Sequence, residues 1–507
     1  MKVLLIVIDA ASPRVLCPAV QTRRLRHLAR IVDAGAMHQA SVTIFPSITP
    51  AATSSIVTGT YPATHGIAGA AWYDEARKEI AYYGDDFWTI AKEGFGAFVR
   101  DFLVRLNGDR LRAPTLFEIV ERQGLKATCI NYLVYKGLVA HDVTLPRALT
   151  LFPGVPRTET VLGPSALCLG DFVTPCSRDG RKVEDRGGVM HRFGMDDAST
   201  AVMLATLAER GELGDFTLAY FADNDFRSHE VGPAAALPVL DEVDKAIGDL
   251  FDAAGGADRF LAETCVIVTS DHGHSDILDD AETAVIRLDK VFESFRQADL
   301  PHGWRDHDEI LLCPNMRAAQ IYLHRPSAVT IDRLTRTALA DDRIDLVLWH
   351  TRVGSAGHPD RYMACGHAGR LEFWRTDSES YDAADAYGTR WCWRGEPAVL
   401  ALDVEDRAVT SEVYPNAFER IAGVLDAPNS GEVWLTARPG CEFELPGGKA
   451  HVGGGSHGAL HALDSLSPLI IGGAGPPAIP LHPRAIDIAP LCLDLLGLQR
   501  PETLARR

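Results

Sequence analysis

Apolar and polar positions along the chain follow two patterns, short apolar runs and longer stretches with helical spacing. Residues 2–9, KVLLIVID, are apolar between a terminal lysine and a terminal aspartate, and they are rich in β-branched side chains. Such a run predicts a strand that is buried on both faces of a parallel sheet. Residues 22–35 place apolar side chains at helical spacing and end in glycine, which predicts a helix.

The same two patterns alternate as far as the C-terminal region. Helix and strand patterns are paired at residues 113–134, 198–222, 234–270 and 467–498. Repeated alternation of this kind predicts an α/β fold, with a doubly wound, mostly parallel sheet covered by helices on both faces. In such sheets, ligands bind at the carboxyl ends of the strands.

Three stretches interrupt the alternation and predict insertions or lids over the sheet. They are residues 75–112, residues 145–190, which are rich in proline and glycine, and roughly residues 300–450. We therefore expect residues 1–507 to form a single catalytic domain, with roughly 300–450 as an insertion or cap within it.

Composition narrows the class of protein. The 507 residues are 46% hydrophobic and 23% charged, as in ordinary globular enzymes, and the net charge of -18 argues against a nucleic-acid binder. No apolar run approaches the roughly 20 residues that span a bilayer, and the N-terminal run is too short for a signal peptide. The ten cysteines form no CxxC pair, so neither a thiolate zinc site nor a disulfide framework is indicated. We expect a cytoplasmic protein without nucleic-acid or membrane partners.

Acidic and imidazole side chains follow three of the predicted strands. Asp9 ends the first strand, Asp225 and His229 follow another, and Asp271 and His272 follow a third. The carboxyl ends of parallel strands meet at one edge of a sheet, so these side chains are expected to converge there. Carboxylate and neutral imidazole together suit borderline metals such as Zn²⁺.

With His457 from a glycine-rich loop, these residues are enough to hold two metal ions. One ion would take Asp225, His229 and His457, and the other would take Asp9, Asp271, His272 and the oxygen of Thr49. Two ions about 3.5–4 Å apart clamp the attacking and leaving oxygens of an in-line displacement at phosphorus. His451 and His461 compete with His457, and the flanking sequence GGSHG favours His457.

Residues 45–67, FPSITPAATSSIVTGTYPATHGI, are unusually rich in hydroxyl side chains. Thr49 before Pro50 predicts a helix N-cap with proline at the first helical position. On its own this would be an ordinary cap. Beside the expected metal ligands, the start of the helix and a metal ion would both stabilise the Thr49 alkoxide, which makes Thr49 the predicted nucleophile.

The motifs VIDA, FPSITPAATSSIVTGTYPATHGI, DFRSHEVGP, SDHG and GGSHG, in this order, resemble the alkaline phosphatase superfamily. The type I phosphodiesterase/nucleotide pyrophosphatase family is the most similar branch, and phosphonoacetate hydrolases are almost as similar. The resemblance implies two zinc ions, with Mn²⁺ as the alternative, and a covalent intermediate on Thr49. The implied activity is hydrolysis of a phosphodiester or pyrophosphate bond in a small phosphorylated substrate.

Two departures from the family pattern leave the substrate open. Ala70 stands where family members carry an asparagine that resembles a phosphoryl-oxygen donor, and the interval between His272 and His457 is long. Arg227 is the candidate replacement, because a guanidinium can hold a phosphate oxygen bidentately. The alternatives are a phosphonate (C–P) hydrolase or phosphomonoesterase with the same site, and a catalytically inactive relative that binds metal.

Two further histidines are interpreted as outside the ligand set. His274 follows the ligand pair closely and is expected to orient a ligand or to be solvated. His65 is expected to hold a loop by hydrogen bonds.

Overall fold

A seven-stranded sheet lies at the centre of the computed structural model, which describes residues 1–83, 100–144, 158–174, 188–298, 304–353, 360–476 and 478–505. Its strands are β1 (Lys2–Ile8), β2 (Gly35–Val42), β3 (Ala127–Ile130), β4 (Ala166–Cys168), β5 (Phe216–Phe221), β6 (Thr264–Thr269) and β7 (Leu466–Gly473). Their spatial order is β2-β7-β6-β1-β5-β3-β4. Only β7 pairs antiparallel with its neighbours, so the strands that precede the predicted ligands, β1, β5 and β6, are adjacent and parallel.

Helices cover both faces of this sheet. They are α1 (Pro13–Gln21), α2 (Arg26–Asp33), α3 (Thr49–Thr58), α4 (Leu116–Arg122), α5 (Asp197–Glu209), α6 (Asp223–Val231), α7 (Leu237–Ala253), α8 (Ala257–Glu263) and α9 (Ile488–Leu495). Alternate side chains of β1 enter two separate cores, one with α3, α4 and α9 and the other with α1, α2, α5, α7 and α8. A strand between two helix layers must be apolar at every position, which explains the unbroken apolar run. Among the described helices, none is long and apolar enough to cross a membrane.

A second sheet of ten strands is formed within the stretch that we expected to be an insertion. In spatial order its strands are Ile310–Asn315, Ala318–Leu323, Val433–Ala437, Ile344–His350, Tyr362–Gly366, Gly369–Arg375, Arg390–Gly395, Ala383–Ala384, Ala408–Thr410 and Asp403–Glu405. The helices Ala328–Ala338 and Ala417–Leu425 pack on its opposite faces. Whether this region acts as a cap stays a prediction.

Shorter elements connect these layers. Two-stranded pairs join Ala71–Asp74 to Glu79–Tyr82, Val139–Thr144 to Thr158–Gly163, Ser275–Asp276 to Gly455–Ser456, and Val285–Arg287 to Glu442–Glu444. Short helices cover Pro62–His65, Ala281–Ala284, Leu288–Val291, Ala462–Ser465 and Glu502–Ala505, and a π-helix covers Asp101–Arg110. Parts of the first two expected insertions, residues 84–99, 145–157 and 175–187, lie outside the described residues.

The α/β fold with a mostly parallel sheet, predicted from the alternating pattern, is confirmed. The strand predicted at 2–9 spans Lys2–Ile8, and the helix predicted at 22–35 spans Arg26–Asp33. The predicted ends of these two elements differ from the observed ends by up to four residues. Side-chain periodicity specifies an element better than it specifies the turn at which the element ends.

Candidate metal centre and nucleophile

The carboxyl ends of β1, β5 and β6 bring the predicted ligands together in two clusters. Site A consists of Asp225, His229, His274 and His457, and site B consists of Asp9, Asp271 and His272. Within each site the candidate ligand atoms lie within 4.8 Å of one another, and all seven side chains are buried. The six carboxylate and imidazole ligands expected from the sequence therefore converge, and His274 joins them.

Local structure explains how site A is assembled. Asp225 and His229 lie one turn apart on α6, so they share a face, and His229 Nε2 is 3.3 Å from Asp225 Oδ2. The short antiparallel pairing of Ser275 with Ser456 places the next-door residues His274 and His457 side by side. The Nε2 atoms of His274 and His457 lie 3.8 Å and 3.6 Å from Asp225 Oδ1.

Three of the four histidines are oriented by main-chain carbonyl groups. A carbonyl oxygen can only accept, so Nδ1 carries the proton and the Nε2 lone pair faces the cluster, as in metal sites whose histidines are held by an outer partner. The pairs are His229 with the carbonyl of Gly455 at 2.8 Å, His272 with that of Gly273 at 3.0 Å, and His457 with that of Ser47 at 2.8 Å.

Buried carboxylate oxygens in both sites fit a bound cation. Among the described residues, Asp9 Oδ1, Asp225 Oδ1 and Asp271 Oδ2 have no hydrogen-bond partner. The second oxygen of Asp271 accepts the N–H of Ala10 at 3.2 Å and that of His272 at 3.0 Å, so one oxygen is held while the other points into the site. Unpaired buried carboxylates are costly unless a cation compensates them.

Burial shifts the pKa values of the site B carboxyl groups in the direction that a metal would oppose, and that of His457 in the direction that a metal would reinforce. Burial, with the adjacent carboxylate of Asp271, raises the pKa of Asp9 well above its usual value, and burial raises the pKa of Asp271 as well. Burial lowers the pKa of His457 well below its usual value, which keeps the imidazole in the neutral form that binds metals. Divalent ions would restore the carboxylate form that ligation requires.

Thr49 is the one residue of segment 41–62, all of it described, that is not fully buried. Its Oγ1 lies 3.1 Å from His272 Nε2, at the edge of site B. The helix begins at Thr49 itself, with Ile48 at the N-cap position, so Thr49 is not the N-cap that the sequence predicted. Its hydroxyl is instead directed to the ligands.

The other hydroxyls of α3 have structural partners. Thr53 donates to the carbonyl of Thr49 at 2.6 Å, and Ser54 donates to that of Pro50 at 2.7 Å, as buried hydroxyls in helices do. Ser55 contacts His65 Nε2 at 2.9 Å, while His65 Nδ1 accepts the N–H of Ile67 at 3.1 Å. His65 therefore holds a loop by hydrogen bonds, as its sequence context indicated.

Two arginines of the second sheet region hold the loops around the site, and the sequence pattern did not single them out. Arg317 forms a fully buried ion pair with Asp464 and donates to Ser275 Oγ at 2.7 Å, which ties the His274 loop to the His457 loop. Arg420, also fully buried, donates to the carbonyl of Ile44 at 3.2 Å and to Ser465 Oγ at 2.6 Å. No local motif marks such residues, because their partners come from distant segments.

Arg227 lies away from both sites. Its side chain is exposed and pairs with Glu230 at 2.7 Å. At position i+2 from Asp225 it projects from the opposite side of α6, which local helix geometry requires. This placement does not favour a substrate-binding role for Arg227, which stays a prediction.

The backbone at Ala70 is held by an asparagine from the second sheet. Asn315 Oδ1 accepts the N–H of Ala70 at 2.7 Å and that of Ala71 at 3.1 Å, and Asn315 Nδ2 donates to the carbonyl of Ala71 at 2.9 Å. A Cβ on Gly69 would lie 2.4 Å from Asn315 Oδ1, so only glycine fits there. The amide of Asn315 is thus used to anchor a loop.

The histidines that competed with His457 have other partners. His451 pairs with Glu442 at 3.0 Å and stacks on His229, with ring centroids 4.0 Å apart. His461 begins a short helix, and its Nδ1 accepts the N–H of Leu463 at 3.2 Å.

Comparison with known proteins identifies the family of this chain. The model of the family type I phosphodiesterase/nucleotide pyrophosphatase matches residues 3–358, so the chain belongs to this family of metal-dependent hydrolases. A search of curated proteins returns no match.

Solved structures of similar fold cover almost the whole chain. Murine ectonucleotide pyrophosphatase/phosphodiesterase 5 is 14% identical, with 99% of this chain and 96% of that chain covered and a TM-score of 0.55. Phosphonoacetate hydrolase from Sinorhizobium meliloti 1021, in complex with phosphonoformate, is 16% identical, with 98% and 96% covered and a TM-score of 0.58. An inactive form of the murine protein was solved with AMP. At these identities the likeness shows the fold.

Proposed function

We propose that this protein hydrolyses phosphodiester or pyrophosphate bonds of small phosphorylated substrates, through a covalent phospho-threonine on Thr49 beside two metal ions. The observation that carries the proposal is the placement of one partly exposed hydroxyl, 3.1 Å from His272 Nε2, at the edge of one of two buried clusters of candidate ligands. Family membership supports the class of reaction. Substrate size is inferred from the AMP and phosphonoformate bound by proteins of similar fold.

Different residues of the chain would have different roles in this reaction. Asp225, His229 and His457 would hold one ion, and Asp9, Asp271 and His272 would hold the other together with Thr49. Such ions stabilise an alkoxide nucleophile and the negative charge of a phosphoryl group. We propose Zn²⁺, with Mn²⁺ as the alternative, since mixed nitrogen and oxygen ligands suit both.

Thr49 would act in two steps. Its Oγ1 forms a bond to phosphorus while the bond from phosphorus to the leaving oxygen breaks, and water then releases phosphate or phosphomonoester and restores the hydroxyl. The start of α3 places the partial positive charge of the helix next to this oxygen, which favours both the alkoxide and the incoming anion. Before metal binds, the hydroxyl donates to His272 Nε2, because Nδ1 of that ring carries the proton.

The experiment is a substrate panel on protein loaded with Zn²⁺ or Mn²⁺. We expect hydrolysis of bis-p-nitrophenyl phosphate to exceed that of p-nitrophenyl phosphate and of phosphonoacetate. Acid quenching during turnover of the diester should trap a p-nitrophenyl phosphoryl group on Thr49, detectable by mass spectrometry. Thr49→Ala should abolish both signals. Thr58→Ala is the matched control, because that hydroxyl donates to the carbonyl of Ser54 at 2.7 Å within the same helix.

The panel also separates the alternatives. Preferred cleavage of phosphonoacetate or of the monoester would replace the proposed substrate class. Turnover retained in Thr49→Ala would remove the covalent mechanism, and bound metal without any turnover would make the protein an inactive relative. The cytoplasmic location and the absence of nucleic-acid and membrane partners stay expectations from the composition.

A further inference from the structure

His274 has the surroundings of a ligand. Its side chain is fully buried, and among the described residues its Nε2 has no hydrogen-bond partner. That nitrogen points into site A, where it lies 3.8 Å from Asp225 Oδ1, close to the 3.6 Å between His457 Nε2 and the same oxygen. A buried imidazole nitrogen facing a buried, unpaired carboxylate oxygen is costly without a shared cation.

We propose that His274 is a fourth protein ligand of site A. The edge of a tetrahedron of nitrogen and oxygen ligands around Zn²⁺ is about 3.3 Å. The separations of 3.6 and 3.8 Å from Asp225 Oδ1 to the Nε2 atoms of His457 and His274 therefore require only small adjustments, while His229 Nε2 lies 3.3 Å from Oδ2 of the same carboxylate. Ser228 Oγ contacts His274 Nδ1, and the hydroxyl can accept a hydrogen bond from that N–H as the carbonyls do from the other histidines. The Nε2 lone pair is then directed to the ion.

The consequence is that the two ions are held unequally. Site A supplies three imidazoles and one carboxylate, and four protein ligands are typical of closed zinc sites. Site B supplies two carboxylates, one imidazole and the Thr49 hydroxyl, an oxygen-rich set that also suits Mn²⁺. Zn²⁺ is therefore expected to fill site A first, while site B stays open to substrate. This inference rests on the two-metal part of the proposed function and not on turnover.

The test measures metal binding directly. Metal-free, full-length protein is titrated with Zn²⁺ against a chromophoric chelator, and the wild type should show two unequal dissociation constants. His274→Asn should weaken the tighter constant by more than about 100-fold, beyond the roughly 10- to 100-fold cost of losing a group that only orients a ligand. The weaker constant should change by a much smaller factor, because site B keeps all of its own ligands.

Two further variants show how large a change in zinc affinity an outer group or an exposed histidine produces. Ser228→Ala removes the partner of His274 and should weaken the tighter constant by about tenfold, as expected for an outer group. His307→Asn changes a histidine whose side chain is 67% exposed and should leave both constants unchanged. An unchanged tighter constant in His274→Asn overturns the inference and leaves the two-metal function standing. A wild type that binds no Zn²⁺ overturns the inference, and one that binds neither Zn²⁺ nor Mn²⁺ overturns the two-metal function as well.

A second measurement needs no variant. Wild-type protein given one equivalent of Zn²⁺ should show three imidazole ligands by X-ray absorption spectroscopy, because site A holds three histidines when His274 binds. A count of two imidazoles overturns the inference, even if His274→Asn fails to fold.

Discussion

The imidazole rings of His272 and His457 stack face to face, with centroids 3.7 Å apart and ring planes inclined by 14°. His272 belongs to site B and His457 to site A, so the two sites are in direct contact through these stacked rings. His272 Nε2 lies 3.5 Å from Asp271 Oδ2, and His457 Nε2 lies 3.6 Å from Asp225 Oδ1. Groups in direct contact do not respond independently, so we expect the two metal sites to be thermodynamically coupled.

Removing the carboxylate of site A should remove a metal ion. Asp225→Asn should keep the fold, but it replaces an anionic ligand with a neutral amide. The zinc content of the purified protein should therefore fall from two ions per chain toward one. Mass spectrometry of the metal content checks this. Asp241→Asn, which changes an exposed partner of Arg24, is the control and should retain both ions. Equal metal content in the two variants would contradict the assignment of Asp225.

Arg227 should be dispensable for catalysis. Its guanidinium is exposed and paired with Glu230, so Arg227→Ala is expected to change kcat/KM by less than threefold. A group that grips the transferring phosphoryl would instead cost about 10²- to 10³-fold. Steady-state kinetics on the best substrate of the panel measures the change in kcat/KM. A loss of kcat/KM of about 10²- to 10³-fold would support Arg227 as the replacement for the missing asparagine.

The buried pair of Arg317 and Asp464 should be important for stability and for the metal site. Arg317→Met leaves Asp464 uncompensated in the interior, which is expected to lower the free energy of unfolding by about 3–5 kcal/mol. Urea unfolding of the metal-free protein measures this change. Because the pair connects the second sheet to the His457 loop, metal affinity should fall as well.

A control for that change is Arg24→Met. Arg24 pairs with Asp241 at the surface, with side chains 48% and 37% exposed, so its loss should leave the unfolding midpoint unchanged. If Arg317→Met behaves like Arg24→Met, the second sheet region is not needed to hold the site, and the region at roughly 300–450 behaves as a separable cap.

His65 should make stability sensitive to acid. Burial lowers the pKa of its imidazole to about 3, while in the unfolded chain the pKa is about 6.5. Between these two pKa values the unfolded state binds one proton more than the folded state. The contribution of neutral His65 to the free energy of unfolding is therefore complete above about pH 6.5. It is lost as the pH falls toward 3, by about 1.4 kcal/mol per pH unit.

The check compares the pH dependence of unfolding in two variants. His65→Gln should flatten the slope of the free energy of unfolding against pH between about pH 6 and 4, by about one proton. His307→Asn, at an exposed position, should leave the slope as in the wild type. Identical slopes in all three proteins would show that His65 is not the group that links acid to unfolding.

Much of the fold and the clustering of six of the seven buried candidate ligands could be predicted from the sequence, because they depend on local requirements. A central strand between two helix layers has to be apolar throughout, as β1 is, and its exit at Asp9 is where a parallel sheet binds ligands. Asp225 and His229 are spaced by one helical turn, so their common face follows from chain geometry alone.

Tertiary structure decided the rest. His274 belongs to site A only because Ser275 pairs with Ser456, and the roles of Arg317 and Arg420 depend on loops that the chain brings together from distant positions. Sequence spacing specifies which side chains share a strand end or a helix face. It does not specify which separate loops pack against one another, because that choice is made by burial and pairing over the whole fold.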